Sequence, residues 1–216
     1  MKELRYTLLS DGSSDEVLLP ILTWLLKQNG VQCAIQPAWA ELRRLREPPK
    51  TLVERIQKAL ELFPCDLLFV HRDAENSPLE TRANEIRAAA TLAASTTAIP
   101  TTLCVIPIRM QEAWLLFDEQ IIRRAAGNPH GRAAITLPAL EQLEQLPDPK
   151  SILHELIRDA SGLHGRRRNR MRVNIAARRV VELADDFKPL RNLSAFQALE
   201  REIKQTIIAE KWNSYS

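Results

Sequence analysis

The chain has no apolar run approaching the roughly 20 residues that a membrane-spanning helix requires, so no span and no membrane partner are expected. Its first residues, Met1-Lys2-Glu3-Leu4-Arg5-Tyr6, lead into a strand pattern instead of the apolar centre of a secretory signal, and a cytoplasmic location is the expectation. Cysteine is scarce. Cys33, Cys65 and Cys104 are odd in number, far apart and set in apolar segments, which describes buried thiols. Four scattered histidines and no Cys-x-x-Cys pair argue against a structural zinc. No lysine occurs between Lys58 and Lys150, which weakens a phospho-acceptor signalling domain, because that chemistry needs a lysine at a later strand end.

What is present suits an α/β core. At 216 residues, with 45% hydrophobic and 26% charged positions, the chain can bury one sizeable interior. Charge is uneven: residues 151–216 hold 13 Lys/Arg against 8 Asp/Glu, leaving 17 against 19 before them. A basic C-terminal third is compatible with a polyanionic partner, and equally with solvated helix faces.

Hydrophobic periodicity predicts strands over Leu4–Ser10, Val31–Trp39, Cys65–Val70 and Thr101–Ile108. The third is a continuous apolar run, the mark of a strand covered on both faces. Pro107 argues for an edge position or a bulge in the fourth. Helices are expected over Val17–Leu26, Thr51–Phe63 and Pro78–Ala94, with another over Arg109–Ala126. Ser13 and Glu16 have capping-box spacing, and Pro20 marks a kink or a late start in the first helix. Beyond Gly127 only helices are expected, near 138–145, 148–160, 173–187 and 194–211. Strands alternating with helices and then helices alone predict a mostly parallel, Rossmann-like sheet of about four strands over residues 1–130. Residues 131–216 form a helical extension packed on the same domain.

Functional groups of open α/β sheets gather beyond the carboxyl ends of the strands, which puts Asp11, Asp73 and Glu75 on one rim. Asp15 and Glu112, at the starts of the following helices, are within reach of it. Clustered carboxylates repel unless a cation or a basic side chain neutralises them, and oxygen-only ligands select Mg2+ or Mn2+. Asp73 and Glu75 are two apart, so they face the same way, together with His71, if the strand continues that far. Gly12 lets the backbone turn sharply after Asp11 and admits a phosphate close by.

Asp11-Gly12-Ser13-Ser14-Asp15 resembles the acidic-Gly-x-x-Asp motif of Toprim domains, and Asp73-Ala74-Glu75 resembles their D-x-D motif. The wider chain, including Gln111-Glu112-Ala113-Trp114-Leu115-Leu116 and Asn192-Leu193-Ser194-Ala195-Phe196, resembles a bacterial Toprim-like family, domain of unknown function 4276. The resemblance implies magnesium held by the acids and phosphoryl-transfer chemistry on nucleic acid. It also implies a setting in genome defence with an ATPase partner protein. Asp11 stands where glutamate is usual and Glu75 where aspartate is usual, which changes side-chain reach by one methylene at each.

Two function classes follow. The first is a metal-dependent nuclease in which Asp11, Asp15, Asp73 and Glu75 hold the metal, with Glu112 and Arg109 assisting; Arg109 either steadies phosphorane charge or pairs with a carboxylate. The five arginines Arg166, Arg167, Arg168, Arg170 and Arg172 would grip the nucleic-acid backbone, with no interleaved aromatic to stack on bases. The second is a non-catalytic Toprim-like module partnering an ATPase. Each residue also has a plainer role: Asp11-Gly12 as a turn, Asp15 or Glu112 at a helix start, and His71 as a strand cap instead of a proton shuttle. A topoisomerase is disfavoured, since Tyr6 lies inside a strand and Tyr215 at the tail.

Overall fold

The computed structural model describes residues 3–213. They form two compact units, one of residues 3–106 and 198–213 and one of residues 107–197. The chain leaves the first unit after Ile106 and re-enters it at Ala198, so the division falls at these two points instead of near residue 130.

The first unit is built on four parallel strands, β1 (Glu3–Leu9), β2 (Ala34–Ala40), β3 (Leu67–His71) and β4 (Thr101–Val105), in the order β2-β1-β3-β4. The crossovers carry α1 (Leu18–Gln28), α2 (Leu52–Leu62) and α3 (Leu79–Ala93). The alternating pattern therefore yields the expected parallel α/β sheet flanked by helices. Every residue of β3 is buried, as its unbroken apolar sequence requires for a central strand. β2 and β4 are the edges. Pro37, paired in register with Tyr6, is tolerated because an edge strand has one unpaired side, and Pro107 falls just beyond β4.

Side-chain alternation assigns the two faces. Leu68 and Val70 of β3 join Leu9, Ile56, Ala59, Ala83, Ile86 and Cys104 in one apolar cluster, under α2 and α3. On the other face Tyr6 meets Phe69 edge to face at 5.3 Å, and its hydroxyl bonds the Leu19 carbonyl of α1 and Thr23 Oγ1, both at 2.8 Å. Burial raises the Tyr6 phenol well above its ordinary range, so this hydroxyl is a structural donor. Pro20 lies in the first turn of α1, where backbone N–H groups lack helical partners, and it imposes no break. The Ser13–Glu16 capping box does not form: a 3-10 turn over Asp15–Val17 precedes α1, and its cap, Ser14, makes no side-chain cap bond. Thr51 and Glu54 do form a capping box, at α2.

The second unit contains α4 (Glu119–Ala125), α5 (Pro149–Ala160), α6 (Gly165–Asn169), α7 (Val173–Glu182) and the start of α8 (Ser194–Ala209). Gln111–Leu115 forms a 3-10 turn and not the expected opening of a long helix. Trp114 is fully buried there and meets Phe196 at 5.2 Å. Glu144 accepts the Ser194 and Ala195 N–H groups at 3.0 and 2.9 Å and the Ser194 hydroxyl at 2.7 Å, so a carboxylate from elsewhere in the chain starts α8. No described helix is long and apolar enough to cross a membrane.

Candidate functional site

The strand order creates a crevice. From β1 the chain crosses to β2 on one side, and from β3 it crosses to β4 on the other, so the connections diverge between the adjacent strands β1 and β3. Ligand sites of open parallel sheets lie beyond the carboxyl ends of such a pair. The loop after β1 carries Asp11 to Asp15, and the loop after β3 carries Arg72 to Glu75.

His71, the last residue of β3, is the hub. Its side chain is 2% exposed. Nδ1 lies 3.0 Å from the Val105 carbonyl, and since a carbonyl only accepts, Nδ1 carries the hydrogen. Nε2 then faces two carboxylates, Asp15 Oδ2 at 3.7 Å and Asp73 Oδ1 at 3.6 Å. The two acids come from different loops and meet at one imidazole nitrogen.

Asp15 is held from behind. The Gly12 N–H donates to Asp15 Oδ2 at 2.6 Å, and Ser14 Oγ lies 3.4 Å from Oδ1. Gly12 is required for its lack of a side chain: a Cβ there would stand 2.4 Å from Asp15 Oδ1. A buried carboxylate is costly unless hydrogen-bonded, and this turn supplies the bond in the place where the Ser13 capping box was expected.

The other two motif acids go elsewhere. Asp11 is gripped by Arg55 of α2 through Nη1, while the Arg55 Nη2 group bonds the Ser10 carbonyl. Arg72 Nε lies 3.3 Å from the second Asp11 oxygen, and Arg72 Nη1 donates to Glu85 at 2.8 Å. Glu75 does not share a face with Asp73. β3 ends at His71, Glu75 sits in the left-handed region at φ 53°, and its exposed carboxylate lies 3.4 Å from Arg82 Nη2. Arg82 also binds Glu85, so carboxylates and guanidinium groups alternate from Asp11 to Glu75.

Glu112 and Arg109 belong to the second unit. Glu112 is buried and paired with Lys150 Nζ at 3.1 Å. Arg109 sits at φ 65° in the segment after β4. His154 of α5 has a lowered pKa, first because burial disfavours its charged form and then because Lys150 and Arg158 are positive neighbours. Arg168, one of the five arginines expected to meet nucleic acid, is committed to Glu155 at 2.7 Å and Asp159 at 2.9 Å. Arg166, Arg167, Arg170 and Arg172 are exposed.

Arg55, Arg72 and the Nε2 side of His71 are the site residues that sequence reasoning missed. Arg72 stood between two residues already singled out, but nothing in the pattern paired it with Asp11. Arg55 occupies a polar position of an amphipathic helix, indistinguishable there from a solvated one.

Among the described residues, no three or more His, Cys, Asp or Glu side chains are grouped to hold a metal ion. The crevice brings two carboxylates, Asp15 and Asp73, to the His71 ring. Magnesium commonly binds through one or two carboxylates and keeps several of its waters, so these two are the residues that could hold one. Comparison with protein-family models, with curated proteins and with solved structures finds no match to this chain.

Proposed function

We propose that the first unit is a Toprim-like, metal-assisted phosphodiesterase acting on nucleic acid, with Asp15 and Asp73 as its metal-holding pair. The observation that carries this reading is the convergence of those two acids, from separate loops, on His71 at the point where the sheet connections diverge. The motif resemblance supplies the reaction class. A divalent ion held there supplies Lewis-acid charge at a phosphate oxygen. The His71 ring, anchored through Nδ1 on Val105, stands between the two acids with Nε2 3.7 Å from Asp15 and 3.6 Å from Asp73. Asp11, in the same turn as Asp15, holds Arg55 and Arg72, two guanidinium groups of the kind that bind phosphate oxygens, while Arg55 also bonds the Ser10 carbonyl and Arg72 also bonds Glu85. Asp11 is thereby assigned a positioning role and Glu75 none in holding the ion.

Cleavage of end-labelled DNA and RNA in Mn2+ tests the proposal, using Asp73→Asn and Asp15→Asn with the fold checked by circular dichroism. Loss of a required ionic ligand is expected to lower the rate by about 100-fold or more. Unchanged cleavage in folded Asp73→Asn contradicts the assignment.

One observation favours a second reading, a non-catalytic module that engages an ATPase partner: two of the four motif acids are tied to arginines instead of joining the pair. On that reading Asp73→Asn leaves partner binding intact, and no cleavage is seen in the wild type.

A further inference from the structure

We infer that the α6–α7 segment of the second unit is a docking surface for the phosphate backbone of nucleic acid, built from Arg166, Arg167, Arg170, Arg172 and Arg179 with Arg168 as its anchor. The inference shares a polyanionic ligand with the proposed hydrolysis, but it stands on different residues and needs neither the metal nor cleavage.

From Ala160 to Val181 the chain carries seven arginines and no Asp or Glu. Elsewhere arginines are commonly matched: Arg43 with Glu41, Arg55 with Asp11, Arg87 with Glu80, Arg123 with Glu119. Within this segment two are matched, Arg168 with Glu155 and Asp159, and Arg178 with Glu182. The other five have no carboxylate partner among the described residues, and all five are exposed.

Arg168 accounts for the shape of the surface. Its guanidinium spans two carboxylates of α5, at 2.7 and 2.9 Å, and Asp159 and then Glu155 raise its pKa further, so it is a fixed cation. α6 is a single short helix that would fray alone, and this double bridge ties it to α5. With α6 held, the Arg170 N–H bonds the Arg166 carbonyl at 3.1 Å, which stacks their side chains one turn apart. Like charges at that spacing repel. On α7, the Ile175 N–H bonds the Arg172 carbonyl at 3.1 Å, and Arg172, Ile175 and Arg179 share an exposed face by helical spacing. Repulsion built into two consecutive turns becomes attraction when a line of phosphates lies across it, because each contact releases condensed counterions. No aromatic side chain interleaves, so the surface reads the backbone and not the bases.

Fluorescence anisotropy with labelled double-stranded DNA and single-stranded RNA, both in EDTA, tests the inference without any cleavage. Five phosphate contacts predict a weakening of about 100- to 500-fold between about 50 and 200 mM salt, the lower figure for the single strand. Arg166→Ala/Arg167→Ala/Arg170→Ala leaves two contacts, and its loss over the same range falls to about 10-fold. Arg201→Ala/Lys211→Ala removes two exposed cations of the first unit and leaves the wild-type salt dependence in place. Ile175→Asp retains most of the binding, whereas a protein partner using the apolar centre of the face would be lost. The inference is overturned if the triple variant binds like the wild type, if the control pair loses as much, or if polyglutamate competes as well as nucleic acid at equal charge. Asp73→Asn binds as the wild type in EDTA, so a failure at the acidic pair and a failure at this surface are read separately.

Discussion

Replacing Gly12 with alanine probes how the turn after β1 positions Asp15. The new Cβ would lie 2.4 Å from Asp15 Oδ1, closer than real Cβ contacts come, and 3.0 Å from both Cγ and Oδ2, so the carboxylate is expected to shift away. Gly12 is not in the left-handed region, so backbone strain adds nothing, and the lower entropy of the unfolded alanine chain offsets about 0.4–1 kcal/mol of the loss. Asp15 is 4% exposed and would surrender its bond to the Gly12 N–H. Breaking one hydrogen bond to a charged group costs about 1.5–3 kcal/mol. For a chain of this size each kcal/mol lowers the melting temperature by roughly 2–4 °C. Urea denaturation followed by circular dichroism measures the loss. The His71 ring resonances in NMR report on the carboxylate independently, since Nε2 would lose one of its two neighbours. A Gly12→Ala protein as stable as the wild type, with unchanged His71 resonances, would refute the reasoning that this turn holds Asp15.

Three further outcomes follow from the same structure. Glu144→Ala removes the cap of α8 and is expected to cost about 1–2 kcal/mol by denaturant titration, with Glu144→Gln losing less because one amide oxygen remains; no change in either contradicts the cap. Cys104 is buried and its thiol is pushed up to about 11 by burial and then by Glu202, so a disulfide reagent at about pH 8 labels half-buried Cys33 in the native protein and reaches Cys104 only on unfolding. His154 is held below its ordinary pKa, so the unfolded chain binds its proton more readily as pH falls through about 6.5. Its contribution is present above that value and declines in acid, which His154→Gln abolishes; parallel stability profiles of the two proteins between about pH 7.5 and 5.5 would contradict it.

The fold was legible where one physical demand dominates. The unbroken apolar run of β3 allows only a central strand, and the spacing of Ile56, Ala59 and Leu60 allows one buried face on α2. β4 is an edge strand, one of the two settings that Pro107 suggested, but it stops at Val105 and leaves the proline outside it. What stayed hidden depends on pairing at long range. The order β2-β1-β3-β4 makes the loops of Asp15 and Asp73 neighbours, and no local pattern encodes which strand pairs with which. The expectation that Asp73 and Glu75 share a face needs a strand that runs on through Glu75, four residues past the end of β3, and the left-handed backbone at Glu75 turns that carboxylate toward Arg82. Of the two roles open to His71 in the sequence, strand cap and proton shuttle, the Nδ1 contact with Val105 fits the first. Its second nitrogen acquires meaning only once β1 and β3 lie side by side. The arginine run was visible in composition, but the separate part of Arg168 needed the position of α5 beside α6.

The central claim is that Asp15 and Asp73 form one divalent-ion site. Anomalous diffraction from crystals soaked in Mn2+ tests it most directly. The account predicts one peak at coordination distance, about 2.0–2.2 Å, from an oxygen of each of these two carboxylates, and no peak in Asp73→Asn crystals. A wild-type crystal with no peak at the pair, or with manganese held by Asp11 and Glu75 instead, would contradict it.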